Sequence, residues 1–229
     1  MQDILLGIKQ ACYLLLTFDH ETYNTILLSL KVSGIAVFFS SLIGISFGTF
    51  FSMKHFPNKK FIMYLINTCM GLPPVVIGLV VYLFLSSSGP LGSLELLFTA
   101  KAMIIAQTIL VTPIIAGLTI AALNSVDPMI ALNAKTLGAD KFQVGLTILN
   151  EARYGVIAAV ISGFGRAIAE VGAVIMVGGD IAGNTRVMTT AIALQTRMGQ
   201  FDTALALGII LILISFLINL FIFRLADRR

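Results

Sequence analysis

Five runs of apolar residues, at 32–51, 61–85, 102–123, 154–177 and 203–223, leave this chain little choice of fold class. Each is about as long as the roughly 20 residues an α-helix needs to cross the hydrocarbon of a bilayer. The rest of the composition agrees. Only 11% of the 229 residues are charged, against roughly 25% in a soluble domain, too few to cover a globule of this size. Lipid is the solvent for such a sequence, and backbone groups in lipid must be satisfied inside helices or closed barrels. Runs of this length favour helices. The expected fold is an all-α membrane protein with about five transmembrane helices.

The runs are not uniform. Gly71-Leu72-Pro73-Pro74 interrupts the second, and Pro113 falls inside the third. Prolines at membrane depth free carbonyls that neighbouring helices or a polar cavity must satisfy. Residues 1–20 are partly apolar but broken by Lys9 and Gln10, and read as an N-terminal interfacial segment. They precede a main domain over 21–226. Residues 187–198 suit a helix too short to span.

Basic residues set the expected orientation. Lys54, Lys59, Lys60, Lys135, Lys141, Arg153, Arg224, Arg228 and Arg229 fall on one side, and Lys9, Lys101, Arg186 and Arg197 on the other. The richer side is expected in the cytoplasm, which puts the N-terminus outside and the C-terminus inside. The same distribution, with no basic stretch interleaved with aromatics, speaks against a nucleic-acid partner.

Chemistry-bearing motifs are scarce. His20 and His55 are expected on opposite sides of the membrane, and Cys12 and Cys69 lack metal-ligand spacing. No metal site is expected, and the chain does not read as an enzyme. Gly178-Gly179-Asp180-Ile181-Ala182-Gly183-Asn184-Thr185 has the glycine spacing of a P-loop, but Asn184 stands where the phosphate-binding lysine belongs.

The connection over 124–153 is more informative. Asp127 suits an N-cap and Pro128 the first helical position. Ala131, Ala134 and Leu137 keep helical spacing, Gly138 can end that helix, and Asp140 can cap a second one. The pattern predicts a helix–Gly–helix elbow at the cytoplasmic face, where Ala134, Gly138 and Ala139 leave room for another protein. An amphipathic loop resting on lipid headgroups fits the pattern equally well. Arg166 and Glu170 are spaced i, i+4 inside the fourth run. Each is costly at the bilayer centre if left alone, so the two should pair or face a polar cavity.

The stretch 134–143, followed by Thr147-Ile148-Leu149, resembles the "EAA" loop of binding-protein-dependent ABC permeases. That loop reads E-A-A, three residues, Gly, nine residues, then I-x-L-P. The spacing from Gly138 to Ile148 fits. Leu132-Asn133 stands in place of the first Glu-Ala, and Asn150-Glu151 in place of the Leu-Pro. Met70-Gly71-Leu72-Pro73-Pro74-Val75-Val76-Ile77-Gly78 and Gly163-Phe164-Gly165-Arg166-Ala167-Ile168-Ala169-Glu170-Val171-Gly172-Ala173 resemble the oxyanion branch of that family, which covers sulfate, molybdate and tungstate importers. The short chain and Asn150-Glu151-Ala152-Arg153 look most like the tungstate permeases.

The resemblance implies a type I ABC importer permease fold in the cytoplasmic membrane. It also implies a homodimer, two cytoplasmic ATPase subunits that carry ATP-Mg, and an extracytoplasmic oxyanion-binding protein. The permease itself would bind no cofactor. Asn133, Ala134, Lys135, Gly138, Ala139, Asp140 and Lys141 would couple to the ATPase. Pro73, Pro74, Arg166 and Glu170 would line the translocation path, although a purely structural kink and a purely neutralising ion pair fit the same residues. Asp180, Arg186 and Arg197 would sit on the outer side, where the binding protein docks.

Overall fold

Helices supply nearly all the regular structure among the described residues of the computed structural model, which are 2–17, 19–53 and 58–227. Lys54, His55 and Pro57 of the expected basic loop, and Arg228 and Arg229, lie outside them. The helices are α1 (Gln2–Leu16), α2 (His20–Met53), α3 (Lys59–Met70), α4 (Pro74–Leu85), α5 (Ala100–Asn124), α6 (Pro128–Thr136), α7 (Lys141–Glu151), α8 (Arg153–Ile168), α9 (Gly172–Gly178), α10 (Met188–Arg197) and α11 (Phe201–Asp227). A single 3-10 turn, Gly92–Leu94, lies in the α4–α5 connection.

Three helices, α2, α5 and α11, are continuous and apolar enough to cross a bilayer. Two bent pairs, α3 with α4 at 93° and α7 with α8 at 68°, bring the candidates by length and composition to at most the expected five. The first bend falls at Gly71–Pro73, where the prolines end one helix and start the next. With 34 residues, α2 is about 51 Å long, well beyond a hydrocarbon core of roughly 30 Å. Its apolar run begins only at Val32, so the turns before Lys31 extend past that core.

The frame of the molecule is α2 against α5, running side by side in the same direction. Ser40 Oγ donates to Thr108 O at 3.2 Å, and Ser52 Oγ to Asn124 Oδ1 at 2.9 Å. Between these bonds the backbones close in. A Cβ on Gly44 would lie 3.1 Å from Ala116 N, and one on Gly48 3.0 Å from Ala116 O. Small residues four apart permit this approach where no hydrophobic effect drives helices together. On one flank, Val32, Ile77, Val81, Ala102, Met103, Ala106, Ala173 and Val177 form a buried cluster that joins α2, α4, α5 and α9. On another, Ala11, Ile26, Met188, Ala206 and Ile210 tie α1 and α10 to α2 and α11.

One expectation needs correction. The fourth apolar run, 154–177, is not a single helix: α8 ends at Ile168 and α9 restarts at Gly172. Glu170 therefore lies in a break, not on a continuous helical face with Arg166. Side chains from α5 and α10 bond the backbone there, Gln107 Nε2 to Ala167 O at 3.0 Å and Thr189 Oγ1 to Glu170 O at 2.8 Å. The backbone keeps part of the bonding, with Glu170 N also on Ala167 O at 3.2 Å, and these tertiary bonds add to it from residues that local sequence cannot announce.

Two predictions follow from packing and capping. A Cβ on Gly78 would lie 2.7 Å from Ala173 Cα, a backbone atom that cannot swing aside. Gly78→Leu is expected to cost about 1–3 kcal/mol, whereas Gly34→Ala, with open space around it, should change stability by less than about 0.5 kcal/mol. Thermal melts in detergent compare the two. Asp19 Oδ2 accepts from Thr22 N at 2.8 Å and caps α2. Hydrogen bonds from Thr22, hydroxyl first and backbone N–H second, hold the Asp19 carboxyl below its ordinary value. A carboxyl so lowered stabilises fully above its unfolded pKa, and this contribution is lost as pH falls through the folded value. Asp19→Ala should therefore cost about 1 kcal/mol at neutral pH, and its melting curve should converge on the parent's as pH drops below the usual carboxylate range.

Candidate functional site

The candidate functional residues fall in three places along the bundle. At the end where α2 and α5 finish, α6 and α7 form the expected elbow. Asp127 Oδ1 accepts from Met129 N at 2.8 Å, and Pro128 opens α6. Gly138 closes it at φ +87°, with Ala139 N donating to Ala134 O at 3.0 Å. A left-handed φ there favours glycine over any side chain. Asp140 and Gln143 then form a reciprocal capping box, with bonds of 2.8 and 2.9 Å. Side-chain caps thus start both helices and a left-handed glycine turns the chain between them, so the elbow keeps its shape.

Its outer surface is apolar. Leu137 is 88% exposed and Phe142 73%, and Met129, Leu132 and Leu146 are also exposed. Asn133, Lys135, Gly138, Asp140 and Lys141 stand among them in the open, with Ala134 and Ala139 half-buried. The sequence reading chose the small and charged residues and missed the large apolar ones. Their signal was apolar side chains in a segment outside the five runs. Val144 and Gly145 are buried on the opposite face, where a Cβ on Gly145 would meet Met53 Sδ at 2.9 Å. The elbow is thereby seated on the end of α2.

Deeper in the bundle, the breaks in the two bent regions meet. A Cβ on Gly172 would lie 2.7 Å from Val75 Cγ2 and 3.5 Å from Glu170 Oε1. The residue after Pro73-Pro74 therefore touches the start of α9, beside the carboxylate. Arg166, in the last turn of α8, donates through Nη1 to Glu170 Oε2 at 2.5 Å. Glu170 Oε1 accepts from Ala173 N at 2.9 Å. The carboxylate is 2% exposed and the arginine side chain 33%. The acid is thus locked in protein, while the arginine side chain remains partly exposed. Gln107 is the eighth residue of α5, so the break it bonds lies about 12 Å from the start of that helix, within membrane depth.

At the far end, Arg186 Nε pairs with Asp180 Oδ1 at 3.3 Å and its Nη1 with Glu21 Oε1 at 3.2 Å. The structure brings Asp180 and Arg186 together and adds Glu21, 165 residues away from Arg186 in sequence. Arg197 is exposed in the last turn of α10, a separate element. Among the described residues no cluster of three or more His, Cys, Asp or Glu side chains could hold a metal ion.

An elbow of short capped helices at one end of a bundle of up to five spans, with two broken helices meeting at depth, defines a membrane transport subunit. The chain belongs to the family of binding-protein-dependent transport system inner membrane components, whose model matches residues 40–229. It is a multi-pass protein of the cytoplasmic membrane, and permeases of this family are transport components. Over 227 residues it is 42% identical to the tungstate uptake system permease protein TupB of Peptoclostridium acidaminophilum, covering 99% of this chain and 100% of that protein. It is 37% identical over 213 residues to TupB of Campylobacter jejuni, covering 93% and 89% of the two chains. Its fold matches, at TM-score 0.79 and 19% identity, a chain in the crystal structure of a bacterial alginate ABC transporter in complex with an alginate pentasaccharide-bound periplasmic protein. That match covers 100% of this chain and 87% of the other.

The ion pair yields a prediction. Arg166→Met leaves the buried Glu170 carboxylate with only the Ala173 amide, and should cost about 3 kcal/mol. This is the low end for a broken buried pair, because Arg166 is one third exposed. Adding Glu170→Gln removes the stranded charge and should recover more than half of the loss. Chemical denaturation of the single and double variants in detergent measures both.

Proposed function

We propose that this chain is the permease subunit of an ATP-driven importer that moves a tetrahedral oxyanion, tungstate first among them, into the cytoplasm by alternating access. Two copies form the pathway, because one chain's five spans make only half of it. Two ATPase subunits bind and hydrolyse ATP-Mg on the cytoplasmic side, and an extracytoplasmic oxyanion-binding protein delivers the substrate near Asp180, Arg186 and Arg197. The N-terminus lies outside and the C-terminus inside, in keeping with the basic residues gathered at the elbow end.

The observation that carries this reading is the elbow. It presents Leu137 and Phe142 almost wholly to solvent on a frame capped at Asp127, Gly138 and Asp140. A chain with no nucleotide chemistry needs such a rigid, apolar projection to receive motion from a partner. Likeness to the tungstate permeases, over nearly the whole chain, supports the choice of anion. Arg166 supports the substrate's charge: a partly exposed arginine at membrane depth suits a passing anion. Pro73 and Pro74 bend their helix around the same point.

The test is uptake of labelled tungstate into proteoliposomes holding this chain, its ATPase and its binding protein, with molybdate and sulfate as competitors. Leu137→Asp changes a side chain that is 88% exposed, so stability should stay within about 0.5 kcal/mol of the parent. ATPase co-purification and ATP-dependent uptake should both fall at least about tenfold, the equivalent of about 1.4 kcal/mol of lost contact. Anion flux through this chain alone, indifferent to ATP, would sink the proposal.

A further inference from the structure

The break between α8 and α9 carries a set of bonds that the transport reading leaves unused. Ending a helix at Ile168 and restarting at Gly172 strips polar backbone groups of their helical partners, and lipid offers none. The backbone keeps two turn bonds, Ala169 N to Gly165 O at 3.3 Å and Glu170 N to Ala167 O at 3.2 Å, and three side chains supply the rest. Gln107 of α5 donates through Nε2 to Ala167 O at 3.0 Å, and Thr189 of α10 donates through Oγ1 to Glu170 O at 2.8 Å. Glu170 itself accepts from Ala173 N at 2.9 Å. All three are buried, at 3%, 7% and 3% exposure respectively.

The two donors reach the break from the rigid part of the molecule. Gln107 belongs to α5, which packs along α2. Thr189 follows Met188, whose N–H donates at 2.8 Å to Ser29 Oγ of α2. One donor takes a carbonyl in the last turn of α8 and the other a carbonyl within the break: Ala167 O lies one residue after Arg166, and Glu170 O belongs to the ion-paired acid. Gln107 Oε1 is buried with no donor from the described residues, so the bond this side chain makes at the break runs through its nitrogen.

We propose that Gln107 and Thr189 are positioning residues for transport. They clamp the α8–α9 break at its α8 end and at its middle, so that Arg166 and Glu170 hold fixed places relative to the α2–α5 frame. The proposal rests on the reading that Arg166 and Glu170 line the translocation path. Loss of either donor frees the break, and the ion pair then no longer follows the motion that ATP drives.

The test uses the assembled complex in proteoliposomes, with Gln107→Leu, Thr189→Val and Thr189→Ser, and Arg166→Gln as the reference for the path itself. Two quantities are read: hydrogen exchange of the amides over 169–173, and tungstate ions imported per ATP hydrolysed. Gln107→Leu and Thr189→Val should raise exchange at least tenfold and lower the import ratio at least fivefold, with ATPase rate and assembly at the parent level. Thr189→Ser keeps the hydroxyl and should match the parent in both. Unchanged exchange in Thr189→Val overturns the clamp, and raised exchange with an unchanged ratio overturns its part in transport. Should Gln107→Leu fail to assemble, the valine and serine pair at 189 decides alone. Parent-level uptake by Arg166→Gln would defeat the path reading without touching the exchange result, so the two failures are separable.

Discussion

Inside a bilayer, a backbone amide or carbonyl has only the protein to bond to, and each departure from a plain helix here is organised by that constraint. Where Pro113 interrupts the bonding of α5, the neighbouring Thr108 carbonyl gathers the hydroxyls of Thr112 and of Ser40 from α2. At the bend between α3 and α4, Gly71 N turns back to Thr68 O and Val76 N to Pro73 O. At the break after α8, distant side chains add to the bonding. The bundle bends in its interior where the backbone turns back on itself or where hydroxyls, an amide or a carboxylate stand ready. Two of these places hold the residues proposed to line the path, Pro73 with Pro74 and Arg166 with Glu170.

Close approach is the second theme. With no water to expel between helices, contact depends on shape, and glycines mark where backbones meet, Gly44 and Gly48 against α5 and Gly78 against α9, while Gly163 makes room for the side chains of Ile115 and Val111. The α2–α5 and α4–α9 contacts of this kind define two units that share one apolar cluster. Polar bonds fix the joints between units, and glycines set the distances within them.

What the sequence made legible was what is local. Apolar runs marked the long helices α2, α5 and α11, and the caps at Asp127, Pro128, Gly138 and Asp140 work within four residues of chain, so the elbow could be read residue by residue. Gly71-Leu72-Pro73-Pro74 advertised its bend for the same reason. The break at Ala169–Val171 has no proline, and its residues suit a helix. Gln107 and Thr189, 60 and 19 residues from the carbonyls they bond, overrule that preference. Nor could spacing join Glu21 to Arg186. The exposed face of the elbow was half legible: its glycine and charges stood out, while Leu137 and Phe142 resembled ordinary core residues until the fold left them outside.

The placement of α8 has a mechanical consequence. It starts at Arg153, two residues after α7 ends, and finishes at Ile168, two residues before Glu170. Sixteen residues of uninterrupted helix make a lever about 24 Å long with the elbow at one end and the ion pair at the other. Pivoting that lever by about 5° carries its tip through about 2 Å, more than half the length of a hydrogen bond. A small push on the surface is thereby enlarged at depth to the size of a broken contact, with no loop between the two ends to absorb it.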